Sequence, residues 1–75
     1  MTKADKIEQK IRKNTSNVSL EDFEFLINQY GEIIEGANHP KAHINNRVYP
    51  YRRKNPVSAH YVEGIIKIID EMKGE

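Results

Sequence analysis

The chain has 75 residues, a net charge of +1 and no cysteine. One small domain is the most it can build, burying only ~60–65% of the surface its unfolded form exposes. The composition excludes disulfide frameworks and cysteine-ligated zinc. No apolar run approaches the ~20 residues of a membrane span, and the near-neutral charge gives no global attraction to nucleic acid. Met1–Lys6 lacks the apolar core of a signal peptide. With the absent cysteines, this sets the expectation of a cytoplasmic protein without a membrane partner.

Residues 3–13 are charge-rich, with Ile7 and Ile11 one turn apart. They predict a short amphipathic helix whose Lys3, Lys6, Lys10, Arg12 and Lys13 suit either phosphate contacts or, the favoured reading, a solvated face. Asn14-Thr15-Ser16-Asn17 breaks it. The expected division is therefore a short helix and linker over residues 1–17 and a main domain over 18–73.

The next helix carries the clearest local signal. Ser19 stands as N-cap, Asp22 completes an imperfect capping box, and Val18 and Phe23 are spaced as a hydrophobic staple. Leu20, Phe23, Leu26, Ile27 and Tyr30 mark one apolar face. Gly31 is expected as a left-handed stop.

Glu32–Glu35 reads as a strand. Lys41–Ile44 and Arg47–Pro50 read as two more, joined by Asn45-Asn46, since Asn tolerates the positive φ of a two-residue hairpin turn. That turn sets Ile44 opposite Arg47 and Ala42 opposite Tyr49. Val48 then faces away from Ile44, which leaves the buried face open. Tyr51–Pro56 is a basic loop. Ser58 is placed to cap the last helix, where Tyr61, Val62, Ile65, Ile66, Ile68, Ile69 and Met72 form a wide stripe. Gly64 inside that helix signals close approach to the sheet. The fold class is α+β, with helix, three strands and helix after an extra N-terminal helix.

Charge segregates along the chain. No acid lies between Glu35 and Glu63, and this stretch holds all three histidines and the cations Lys41, Arg47, Arg52, Arg53 and Lys54. The charged residues from Glu21 to Glu35 are all acids. A basic, histidine-bearing surface with tyrosines suits an anionic ligand, and RNA fits best. The competing reading is a basic strand-and-loop surface with no ligand. Pro40 disfavours a helical backbone at His39 and presents it extended, at the start of a strand. Pro40 also speaks against a shared helix face, and so a zinc pair, for His39 and His43. His43 reads as a strand residue facing solvent, His60 as a first-turn helix residue. Tyr49 and Tyr51 suit either base stacking or strand packing.

The order of these pieces resembles the HicA toxin family, small ribonucleases of bacterial and archaeal toxin–antitoxin pairs. Asn17-Val18-Ser19-Leu20-Glu21-Asp22-Phe23 looks like the family's opening helix. His39-Pro40-Lys41 falls at its histidine motif, Val48-Tyr49-Pro50 resembles its third strand, and Asn55-Pro56-Val57 with Tyr61-Val62 looks like the entry to its last helix. The resemblance covers about residues 11–72. It implies a fold like a double-stranded RNA-binding domain, with helices on one face of a three-stranded antiparallel sheet. It implies a metal-independent, cofactor-free RNA endonuclease neutralised by a HicB-like antitoxin.

His39 is then the general base that takes the proton of an RNA 2′-hydroxyl, and the oxygen attacks phosphorus to leave a 2′,3′-cyclic phosphate. Histidine suits this work because ordinary imidazole offers both protonation states near neutrality. Lys41, Arg47, Arg52, Arg53 and Lys54 would bind RNA. The acid is Lys41, Tyr49 or a water. The family places Gly-Ser before its histidine, whereas Ala37-Asn38 stands here. A shifted register matches Gly36-Ala37 to Gly-Ser and puts Asn38 at the catalytic position. The alternative function is a degenerate module of the same fold that binds RNA or a protein without cutting.

Overall fold

Each of the first two helices starts where a short polar side chain precedes an apolar periodicity. The computed structural model describes residues 2–36 and 38–74. It contains α1 (Lys3–Lys13), α2 (Leu20–Tyr30), β1 (Glu32–Ile34), β2 (Lys41–Ile44), β3 (Arg47–Pro50) and α3 (Ala59–Lys73). Thr2 and Asp5 cap α1 reciprocally. The Ser19 hydroxyl accepts the Asp22 N–H at 3.2 Å, and the staple residues Val18 and Phe23 are both buried. Ser58 occupies the cap position of α3, but its side chain makes no capping bond. Instead, the Val57 N–H donates to the Val18 carbonyl at 2.8 Å, and the Asn55 amide oxygen accepts the Leu20 N–H at 3.2 Å. The entries to α2 and α3 are thereby tied to each other.

Gly31 corrects one expectation. Its φ of −166° and ψ of −137° are extended, not left-handed. A Cβ there would lie 2.0 Å from the His43 carbonyl oxygen. Glycine serves the close passage of the chain past β2 rather than a left-handed helix stop.

The strands form one antiparallel sheet in the order β1-β2-β3. Asn45 and Asn46 have φ of 53° and 63°, the conformation a two-residue hairpin turn requires. The register is Ile44 opposite Arg47 and Ala42 opposite Tyr49, as the turn length demands. Ala42 and Ile44 are each 1% exposed, whereas Val48 is 53% exposed. The helices therefore cover the Ala42/Ile44 face. Lys41, His43 and Val48 alternate onto the other face, which is open.

Phe23, Leu26 and Ile27 from α2 meet Val62, Ile65 and Ile69 from α3 in the core, with Ala42 and Ile44 beneath them. Tyr49 reaches across to α3, where its ring lies against Gly64. Packing does not stop at residue 17: Ile11 of α1 is 1% exposed and joins the same core. No described helix is long and apolar enough to cross a membrane.

Polar contacts lock α1 in place. Arg12 forks onto Asp70 at 2.8 and 3.3 Å. Glu8 accepts from Arg12 at 3.0 Å, from Lys73 at 3.1 Å and from the Tyr30 hydroxyl. Burial pushes the Glu8 carboxyl up, but hydrogen bonds from Tyr30, Lys73 and Arg12 outweigh it and hold the group below its ordinary 4.5. Asp70 is likewise held down by its bond from Arg12. A carboxyl depressed in the folded state adds stability above its unfolded pKa and loses it as pH falls through the folded value. Melting temperature is therefore expected to fall once pH drops below 4.5, the ordinary Glu value. Glu8→Gln should melt lower at neutral pH and show a shallower acid decline. Circular-dichroism melts across pH measure both, and parallel curves for the two proteins would contradict the assignment.

Candidate functional site

Between β1 and β2 the chain turns through residues 35–40 at one end of the sheet. Ala37 lies outside the described residues. A Cβ on Gly36 would sit 2.6 Å from the His39 carbonyl oxygen, so this tight return needs glycine. Pro40 is buried, and its carbonyl accepts the Tyr51 N–H at 3.1 Å, which fastens the turn to the end of β3. The backbone just after His39 is thus fastened and Gly36 passes close to its carbonyl, while its own side chain is exposed. Asn38 beside it is also exposed.

Three shallow depressions meet at His39. One, of about 390 Å³, is shared with Glu35, Asn38, Arg52 and Arg53. A second adjoins Lys41 and Pro50, and a third adjoins Arg52 and Tyr61. A wider depression of about 580 Å³ lies between α1 and α3. Its Arg12 and Asp70 are already spent on each other, so the chemistry points to the His39 end. Among the described residues no group of three or more His, Asp or Glu is placed to hold a metal ion.

The five cations singled out from the sequence have separate fates. Lys41 opens β2 on the uncovered sheet face, and Arg52 and Lys54 are exposed in the loop after β3. None of these three has a carboxylate within ion-pair distance among the described residues. Arg47 lies at the opposite end of the hairpin, about 10 Å along β3 from Pro50. It sits on the helix-covered side and pairs with Glu71 of α3 at 3.3 Å. Arg53 is doubly committed. Its Nη1 and Nη2 fork onto Glu35 at 2.9 and 2.5 Å, and its Nε donates to Glu24 at 2.9 Å. The structure therefore gathers His39, Lys41 and Arg52, with Lys54 two residues on. It removes Arg47 to the far end and ties Arg53 to α2 and the β1 exit.

Tyr51 is not available to stack on a base. It is 1% exposed, its ring meets Phe23 edge-on at 5.0 Å, and its hydroxyl donates to Glu24 at 2.7 Å. Burial first, and then Glu24, pushes its phenol well above the ordinary range. Tyr49 packs edge-on against Tyr61 at 6.2 Å and turns its hydroxyl toward the His60 carbonyl. His60 is exposed in the first turn of α3, beside Tyr61, and His43 is half-buried on the open sheet face.

Two neighbours of His39 escape a reading of the sequence. Tyr61 was visible only as part of the α3 stripe. Glu35 is the acid that borders the acid-free stretch, and its carboxyl is held below the usual range chiefly by the Arg53 hydrogen bonds. Its partner lies 18 residues away, so no local spacing announces the pair. An exposed imidazole beside unneutralised cations can accept a proton from a hydroxyl while the cations offset charge growing on a phosphate. No family model, curated protein or solved structure matches the chain.

Proposed function

We propose that the protein is a HicA-type toxin, a metal-independent mRNA endonuclease of the cytoplasm silenced by a HicB-like antitoxin. Its sheet and its two core helices would then correspond to a fold like a double-stranded RNA-binding domain, in which RNA is gripped by shape and phosphate contacts. The observation that carries the reading is the placement of His39. It is exposed, followed by the fastened Pro40, and beside Lys41 and Arg52, which have no acidic partner among the described residues. His39 takes the proton of the 2′-hydroxyl. The 2′-oxygen attacks phosphorus, the bond to the 5′-oxygen breaks, and Lys41 or a water returns a proton to that oxygen. Of the earlier candidates for the acid, Tyr49 is the weakest, because its hydroxyl is turned toward α3.

The test is induction in a bacterium with growth and RNA ends followed. Growth arrest with fragments ending in 2′,3′-cyclic phosphate is expected, and intact RNA would refute the nuclease. The second reading, a non-cutting module, draws on Asn38 at the family's Gly-Ser position and on the Glu35 carboxylate sharing the His39 depression.

The cations should divide in the same way as their contacts. Arg52→Ala with Lys54→Ala is expected to weaken RNA binding and reduce its salt dependence by roughly 0.7–0.9 per lost phosphate contact. Arg53→Ala should instead lower the melting temperature, because it frees Glu24 and Glu35, and should change the salt slope little. Fluorescence anisotropy over a salt series, with melts of the same proteins, separates the two effects. An Arg53→Ala slope as reduced as that of the double variant would return Arg53 to the phosphate contacts.

A further inference from the structure

We propose that the lysine face of α1 is a second contact for the RNA phosphate backbone, separate from the His39 end; this rests on the reading that RNA is the ligand. At 100° per residue, Lys3, Lys6, Lys10 and Lys13 fall within an arc of about 80°. Gln9 and Asn14 flank them, and no acid of α1 lies on that arc. A shallow groove of about 660 Å³ runs along Lys6, Gln9, Lys10, Lys13 and Asn14.

The acids that would normally quench such a stripe are occupied elsewhere. Asp5 caps the helix, and Glu8 is used by Arg12, Lys73 and Tyr30. Among the described residues, Lys10 alone of the four has a carboxylate partner, Asp22 at 3.2 Å, and its side chain stays 72% exposed. Lys3 lies over the Phe25 ring at 5.7 Å, where its charge is held in place rather than cancelled.

The helix is also rigidly mounted. Buried Ile11 and the Arg12–Asp70 fork anchor its opposite side, so the lysines are presented on a fixed frame. Lys3 to Lys13 spans ~15 Å, the length of a duplex strand that carries about four phosphates at ~3.4 Å each in DNA. An anionic membrane is the other surface a basic helix can meet, but such helices insert an apolar face. Here that face is used up: Ile11 is in the core and Ile7 packs against it.

The test uses the full chain with Lys6→Glu and Lys13→Glu combined, and Lys67→Glu on α3 as the charge control. The probe is a 2′-O-methyl RNA duplex, which retains its phosphates and cannot be cut, so the result does not depend on whether His39 cleaves. The double variant should keep its helical circular dichroism, bind at least tenfold more weakly at low salt, and lose roughly 1.4–1.8 from the log–log salt slope. Lys67→Glu should leave the slope unchanged. Wild-type affinity and slope in the double variant would overturn this contact and leave the His39 reading standing. Equal loss in Lys67→Glu, or binding to phosphatidylserine vesicles in preference to RNA, would overturn it too. A wild type that binds no duplex overturns this contact, while the nuclease reading stands or falls on the cleavage test.

Discussion

His39→Ala is expected to fold normally, to retain most of its RNA affinity and to cut RNA about 10²–10⁴-fold more slowly, the usual effect of losing a general base. The fold should survive because the side chain is exposed and the segment is fastened through backbone, by the Pro40–Tyr51 hydrogen bond. Affinity should survive because it rests on Lys41, Arg52 and Lys54. Asn38→Ala should do less, since an amide cannot act as a base at neutral pH and serves only to orient or donate a hydrogen bond. Single-turnover cleavage with saturating enzyme isolates the chemical step from binding. If His39→Ala cuts as fast as wild type, His39 is not the catalyst. If Asn38→Ala is the more damaged of the two, the assignment of the base to His39 fails.

The second large effect concerns the core. Leu26→Ala or Ile65→Ala should each lower stability by about 2–5 kcal/mol. Leu26 is 2% exposed in the middle of α2 and Ile65 is 0% exposed in the middle of α3, and both belong to the cluster that seals the sheet. Neither cavity can be refilled by solvent-facing neighbours, since Phe23, Ile27, Val62 and Ile69 around them are themselves fully packed. Globular domains have only about 5–15 kcal/mol in total, and a chain this short lies near the lower end. Each variant should therefore lose roughly 8–40 °C in melting temperature, at about 4–8 °C per kcal/mol for this size. Melts unchanged by both substitutions would mean the helices pack through other faces.

Where the sequence was legible, the cause was local. Ser19 caps α2 because a hydroxyl reaches an N–H three residues on, whatever the rest of the chain does. Asn45-Asn46 sets the hairpin register because two residues of positive φ permit only one pairing. The apolar periodicity of Phe23, Leu26 and Ile27, and of Val62, Ile65 and Ile69, named the buried helix faces for the same reason: 3.6 residues per turn is a property of the backbone.

The fate of individual charges was decided elsewhere. Arg53 and Arg52 are neighbours of one type in one basic loop, yet Arg53 meets Glu24 and Glu35 from two other elements while Arg52 meets neither. Arg47 looked like part of the same surface until the hairpin register placed it on the α3 side, opposite Glu71. Tyr51 read as a loop residue and is a core residue, because α2 supplies both Phe23 for its ring and Glu24 for its hydroxyl. The sequence by itself determined the elements, the Ser19 cap, the strand register and which helix faces are buried. Only the tertiary structure decided which cations remain unneutralised, because a Coulomb partner is chosen by distance in space, and each of these pairs closes a loop of 18 to 29 residues or, for Arg12 and Asp70, 58.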